Sequence, residues 1–260
     1  MCRWLAYIGA PRIIENLVYE GDHSLSAQAM QSNKAKLGVH GDGGGLGWYS
    51  RSPEPGLYRN PGPAWSDPNL RELTRHIESH IFFAHVRAST GAPNVFVNCH
   101  PFRSTEWLFM HNGQIGNFAR LKRDLEQQLS DECYHALQGG TDSELLFHLM
   151  ITNGLKQDPP SALRKTVEQV ERARVDRGIS EAFRATFAIT DGNSLWALRW
   201  SSDQMAPSLF QREDNGSVLI VSEPLDEDIS NWQEIAPNSL LIFSNRKNGV
   251  IMEQKEVFLS

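Results

Sequence analysis

A chain of 260 residues with 40% hydrophobic and 22% charged side chains has the make-up of a folded globular protein, which excludes disorder, collagen and coiled coil as the main architecture. At this length folding buries roughly 70–75% of the unfolded chain's surface, so a core forms without disulfide staples. The 25 Lys and Arg stand against 31 Asp and Glu, a net charge of −6, so no nucleic-acid or membrane partner is expected, because both call for a basic face.

No apolar run approaches the ~20 residues that span a bilayer. The opening MCRWLAYIGAPRIIEN lacks a basic segment followed by a long apolar one, so no signal peptide is expected. Three cysteines, Cys2, Cys99 and Cys133, lie far apart with no CxxC pair. That usage predicts reduced thiols and a cytoplasmic protein. Cys99 and Cys133 fit the role of small packing residues.

In chain order, residues 2–8 predict a strand that ends at Gly9–Pro11. A short helix over 24–31 has Ser24 as its cap. A glycine-rich loop over 38–47 leads into a strand over 46–49, and residues 53–63 predict a surface loop. Asp67-Pro68 opens a helix towards Glu78, with Asp as cap and Pro at the first position. Residues 80–87 predict a strand ending in the small-residue turn 88–91. Residues 107–111 predict another, ending in an Asn112-Gly113 turn. Helices are expected over 117–129, 142–153 and 160–176. A hairpin over 183–190 and 195–200 turns at Asp191-Gly192-Asn193. Short strands near 218–221, 240–243 and 250–257 follow. Strands, then helices, then strands again is an α+β order, expected as one domain over residues 1–260.

Met1-Cys2 carries the first chemical signal. The initiator Met is removed when the second side chain is small. Removal would leave a thiol and a free α-amine on one residue. A thiol with pKa ~8.5 needs a base at neutral pH. An α-amine at ~7.7–8.0 can serve as that base. Nucleophile and base would then share one residue. Chance placement of Cys is the plain alternative.

In His85-Val86-Arg87-Ala88-Ser89-Thr90-Gly91 a strand delivers Arg87, whose planar fork suits a carboxylate. Ser89 or Thr90 could add a hydroxyl, while His85 is expected to face the core. A solvated Arg at a strand end is the alternative. In His111-Asn112-Gly113, the Asn amide and the Gly N–H can aim at one oxygen, as an oxyanion hole requires. A hairpin turn is the competing reading. Thr141-Asp142-Ser143-Glu144 opens a helix with Thr141 as cap and Glu144 as its reciprocal partner. Asp142 could then accept from a ligand ammonium, or merely complement the helix dipole. The glycine loop around Asp42 lacks a GK[ST] tail and does not join strand to helix, against a P-loop. The nine His include no HExxH pair, and Glu144 and His148 on one helix face are thin support for a metal.

Taken together and in order, Cys2, HVRASTG, NCHPF, HNGQIGN and TDSE resemble the class II glutamine amidotransferases of the N-terminal-nucleophile hydrolase superfamily, over nearly the whole chain. Val221-Ser222-Glu223-Pro224-Leu225 and Trp232 resemble its stand-alone branch. The resemblance implies a four-layer αββα sandwich with two stacked antiparallel sheets. It implies Cys2 as nucleophile, with Asn112 and Gly113 as the oxyanion hole. Arg87, helped by Thr90, would hold the substrate's α-carboxylate, and Asp142 its α-ammonium. Many synthase-linked members have Trp-Ala-Thr-His-Gly after this Arg, where the chain has Ala-Ser-Thr-Gly. The implied reaction is hydrolysis of a γ-glutamyl amide, glutamine first, through a thioester on Cys2. No metal, nucleotide or flavin cofactor is called for. A separate synthase subunit could accept the ammonia. Alternatively the enzyme cleaves larger γ-glutamyl amides, like stand-alone relatives acting on glutathione or on the γ-glutamyl intermediate of ergothioneine synthesis. Two rivals stay open: a catalytically silent binding module, and a metallohydrolase built on His100, His111 and Asp142.

Overall fold

A computed structural model describes residues 2–30, 41–89, 91–246 and 249–258. Its strands are β1 (Arg3–Ile13), β2 (Gly44–Trp48), β3 (Gly56–Asn60), β4 (Glu78–Val86), β5 (Phe102–Ser104), β6 (Trp107–Gln114), β7 (Arg184–Thr190), β8 (Ser194–Ser201), β9 (Phe210–Asp214), β10 (Ser217–Val221), β11 (Gln233–Glu234), β12 (Ser239–Arg246) and β13 (Gly249–Val257). The helices are α1 (Glu15–Val18), α2 (Leu25–Met30), α3 (Pro68–His76), α4 (Phe118–Glu126), α5 (Asp131–Ala136), α6 (Asp142–Thr152) and α7 (Pro159–Asp176). One sheet runs β11-β9-β10-β1-β4-β2-β3 and the other β13-β12-β8-β7-β6-β5.

Strand alternation builds the layers, because successive side chains point to opposite faces. In β1, Trp4, Ala6 and Ile8 meet Leu108 and Met110 of β6 and Leu241 and Phe243 of β12 between the sheets. Leu5 and Tyr7 point the other way, onto Leu17, Leu25, Ala29 and Leu70 of α1–α3. On the far side, Phe109, Phe187 and Leu198 pack under Leu121, Leu145, Leu149, Leu163 and Val167 of α4, α6 and α7. The result is the expected αββα sandwich. Each fully buried Leu or Phe contributes about 1.5–3 kcal/mol, so the three apolar layers carry the fold.

Several local expectations are corrected. β1 does not stop at Gly9. It shifts register between Ile8 and Arg12 and pairs with β4 again at Arg12↔Ser79. Gly9 serves a close approach there, since a Cβ would lie 2.1 Å from Ser217 Oγ. The region expected to be a Pro/Gly surface loop contains β3, an edge strand paired with β2. α3 ends at His76, and Glu78 already belongs to β4. Its cap is as expected: Asp67 accepts from the N–H groups of Asn69 and Leu70. Ser24 Oγ accepts from Ala27 N–H and caps α2, while Gln31 and Gly38–40 lie outside the described residues. The hairpin at Asp191–Asn193 joins β7 to β8.

Candidate active site

The same alternation delivers three side chains to one end of the space between the sheets. Cys2 precedes β1 in step with Trp4 and Ala6, whose side chains face the opposite sheet. Arg87 follows β4 in step with Phe83, and its N–H still donates to Gly43 O at 2.8 Å, which keeps the strand direction. Asn112 of β6 is in step with Leu108 and Met110. They line a cavity of about 510 Å³ together with Gly113 and Asp142. The loop after Arg87 walls one side, and residues 114–119 and 140–143 the other.

Cys2 is half-buried, and its Sγ lies 3.7 Å from Ala88 O. Burial pushes the thiol pKa up. A backbone hydrogen bond at Ala88 and the charge of Arg87 act against that, while Asp142 adds to it. The resting thiol is therefore protonated at neutral pH and needs a base to become a nucleophile.

Arg87 is buried, and its guanidinium sits in a cage of loop oxygens. Nη1 donates to Asp42 O at 3.1 Å and Asn94 Oδ1 at 2.9 Å. Nη2 donates to Ser89 Oγ at 3.2 Å and Ala92 O at 3.1 Å. A carboxylate ligand would share these donors or displace loop oxygens. Thr90 lies outside the described residues. Asp42 knits this wall together: its carboxylate accepts from Ser89 N and Asn94 Nδ2, both at 2.8 Å. Its role was invisible in a glycine loop tested only against a phosphate-binding pattern. Asn98, the first residue of the NCHPF motif, has a role that the motif alone does not assign. It bridges the two walls, accepting from Gly140 N at 3.3 Å and donating to Pro93 O at 3.0 Å.

Asn112 and Gly113 are not a turn. β6 continues through both, pairing Asn112 with Thr186 and Gly113 with Ala185 of β7. The glycine is required by close approach, because a Cβ would lie 2.0 Å from Arg184 O. Asn112 is 1% exposed, yet neither Oδ1 nor Nδ2 has a hydrogen-bond partner among the described residues. Buried amides are nearly always satisfied, so an unsatisfied one on a cavity wall has both a donor and an acceptor free for a ligand.

Asp142 starts α6. Its Oδ2 accepts from Ile115 N at 3.0 Å and its Oδ1 from Ser143 Oγ at 3.3 Å, and each carboxylate oxygen retains a second lone pair. Thr141 caps the helix, accepting from Glu144 N at 3.2 Å. Glu144 is not its reciprocal partner. It accepts instead from Gln138 N at 2.9 Å and Gly139 N at 2.7 Å, fixing the preceding loop. His111 Nδ1 pairs with Ser143 Oγ at 2.9 Å, so this histidine ties β6 to α6. His85 faces the core, as expected, with Nε2 3.3 Å from His111 O and its ring stacked on His100 at 4.2 Å. Burial holds His111 below the usual imidazole range against the pull of Asp142, and holds His100 well below it. Both rings are neutral at pH 7. Among the described residues, no three His, Cys, Asp or Glu side chains converge as metal ligands. No described helix is long and apolar enough to cross a membrane.

The fold and cavity define a class. The class II glutamine amidotransferase family model matches residues 16–209, and the chain belongs to that family. The match includes Arg87, Asn112, Gly113 and Asp142 but starts after Cys2, which rests on the cavity geometry. Among curated relatives, a probable glutamine amidotransferase, DUG3, of Saccharomyces cerevisiae is 31% identical over 93% of this chain and 81% of its own. A gamma-glutamyl-hercynylcysteine sulfoxide hydrolase of Mycobacterium tuberculosis is 27% identical over 93% and 92%. Among solved structures, a glutamine aminotransferase class-II domain protein from Silicibacter pomeroyi superposes with a TM-score of 0.76 at 34% identity, covering 99% of this chain and 100% of that one.

Proposed function

We propose that the protein hydrolyses γ-glutamyl amides with Cys2, freed of Met1, as both nucleophile and base. The observation that carries this reading is that the Cys2 thiol and the unsatisfied Asn112 amide line the same cavity from opposite sheets. The thiol attacks the δ-carbonyl carbon and its proton passes to the α-amine of Cys2. Negative charge gathers on the carbonyl oxygen beside Asn112 and Gly113, where one such donor lowers the barrier by roughly 3–4 kcal/mol. The tetrahedral adduct collapses, the C–N bond breaks, and the leaving amine takes the proton from the ammonium. Water then attacks the thioester, the α-amine again accepts the proton, and the thiol and free glutamate are released.

Arg87 and Asp142 would hold the α-carboxylate and α-ammonium of the glutamyl half. Arg87→Lys keeps the charge but loses the fork. Asp142→Asn loses the charge facing the ammonium. Each is expected to lower kcat/KM about ten- to a hundredfold, the effect of losing a charged hydrogen bond of about 1.5–3 kcal/mol. Unchanged steady-state kinetics in both would remove these residues from substrate binding.

A cavity of about 510 Å³ falls in the size range that takes ligands larger than one amino acid. That favours, as a second reading, a γ-glutamyl amide with a larger leaving amine, the class of substrate named for the mycobacterial relative. Three unpaired cysteines support a reducing, cytoplasmic setting. Intact-mass analysis of active protein should show Met1 removed. A panel of glutamine, glutathione and other γ-glutamyl amides, scored by kcat/KM, separates the readings. Glutamine as the best substrate, with a synthase that co-purifies, supports ammonia donation. A larger amide preferred without a partner supports a γ-glutamyl hydrolase. No cleavage by the processed protein, or full activity with Met1 retained, overturns the proposal.

A further inference from the structure

The terminal residue of a chain frays unless something holds it, yet this mechanism needs the amine, Cα and thiol of Cys2 in a fixed arrangement. With Met1 gone, no chain precedes Cys2 to anchor it. The structure supplies a clamp from the other side. Arg3 follows Cys2 and so points to the opposite face of the sheet, away from the cavity. Its Nη1 turns back and donates to Cys2 O at 3.0 Å. Its Nε donates to Glu223 Oε2 at 2.8 Å. Arg3 and Glu223 are 1% and 5% exposed. The β1–β10 register, Leu5↔Val221, carries one step further through Ser222 N–H donating to Trp4 O at 3.1 Å. Glu223 thereby falls across from Arg3.

The clamp is itself braced. Trp4 N–H donates to Ser222 Oγ at 2.7 Å. Gln28 Nε2 donates to Pro224 O at 3.0 Å and Glu223 O at 3.3 Å. The peptide oxygen of Cys2 and the N–H of Trp4 are thus both tied to the segment 222–224. Holding the Cys2 carbonyl fixes the plane of the Cys2–Arg3 peptide. The Cys2 Cα, which carries both the amine and the thiol, is thereby held in one place at the edge of the cavity. A single guanidinium is needed, because only its fork reaches a carboxylate and a carbonyl at once.

We infer that Arg3, held by Glu223, is a positioning residue that fixes the Cys2 peptide and so keeps the Cys2 Cα, with its amine and thiol, in place on the cavity wall opposite Asn112. The inference rests on the mechanism proposed above. Its test therefore includes a substrate-free readout: the pH dependence of Cys2 alkylation by iodoacetamide, followed by peptide mapping of the Met-processed protein. Of the side-chain charges that act on the thiol, Arg87 and Asp142 are unchanged in the variants, and Arg3, which also interacts with Cys2, keeps a cation in its place in Arg3→Lys.

Arg3→Lys retains a cation for Glu223 but cannot span both acceptors. Turnover by this variant should fall about ten- to a hundredfold in kcat, the scale of a small misplacement of reacting groups. KM should be unchanged, because the residues proposed to grip the glutamyl half lie on the other face. The alkylation profile should shift towards that of an isolated thiol. Removing one member of a buried pair can itself unfold a protein. The double variant Arg3→Met with Glu223→Leu leaves no buried charge and should show the same kcat loss and alkylation shift at near wild-type Tm. If either folded variant keeps the wild-type alkylation profile, or if kcat falls only in proportion to a loss of folded protein, the positioning role is overturned. If the alkylation shift appears but wild-type protein cleaves no γ-glutamyl amide, the substrate reading fails and the positioning of Cys2 stands.

Discussion

Cys2→Ala is expected to abolish turnover while the fold survives. The side chain is half-buried and outside the three apolar cores, and its Sγ lies 3.7 Å from Ala88 O. Deleting the sulfur leaves both sheets as they are, and Tm should stay within the range of surface substitutions, about 0.5 kcal/mol. Catalysis behaves differently. Among the described residues that line the cavity Cys2 is the one thiol, so the rate should drop by about 10⁴-fold or more, the scale seen when a nucleophile is removed. Cys99→Ala and Cys133→Ala are the controls. Both thiols are buried, and Cys99 Sγ lies 3.5 and 3.6 Å from the carbonyl oxygens of Asn60 and Val95. They should lose some stability and keep most activity. Quenched reactions of wild-type protein should carry a glutamyl adduct on the Cys2 peptide. An active Cys2→Ala, or an adduct on another cysteine, would sink the assignment.

The sequence made the layers legible because its strongest signals are local. Short apolar runs in residues 80–87 and 107–111 mark β4 and β6, and Asp67-Pro68 marks the start of α3. What it hid depends on contacts between distant segments. Asn112-Gly113 has the composition of a turn, and only β7 passing alongside turns it into strand. β9 and the two-residue β11 exist through their neighbours in the sheet, with little periodicity of their own. The candidate site shows the same division. Cys2, Arg87, Asn112, Gly113 and Asp142 were visible as an ordered set of motifs, and they meet at one cavity. The contacts that hold that set in place were not, although Asn98, Glu223 and Asp42 lie in stretches already singled out. Asp42, Asn98, Arg3 and Glu223 act across 5 to 220 positions of sequence, and no short motif records such a contact.

Gly113→Ala separates the strand from the turn most sharply, and it is expected to cost both stability and activity. A turn glycine would tolerate alanine at a modest penalty if its conformation allowed. Here the added methyl would meet Arg184 O at 2.0 Å, His111 Nε2 at 2.7 Å and Ala185 Cα at 2.9 Å. Two of the three are backbone atoms of β7 and cannot rotate away, so β6 and β7 must separate at this pair. Overpacking of this kind costs about 1–3 kcal/mol. The displaced segment also carries Asn112, so the oxyanion donors move with it. A loss of about 10²-fold or more in kcat should accompany the lower Tm. Asn112→Ala is the informative partner. It removes one donor and leaves the β6–β7 pairing alone, so kcat should fall about 10²–10³-fold. Tm should fall far less than in Gly113→Ala, because the amide being removed is buried without a partner and such a group destabilises the fold that contains it. Thermal melts and steady-state kinetics on the two variants test both halves. If Gly113→Ala keeps wild-type Tm and activity, the strand packing described for β6 is wrong. If Asn112→Ala turns over at the wild-type rate, the amide does not face the developing charge and the oxyanion hole must be sought elsewhere on the cavity wall.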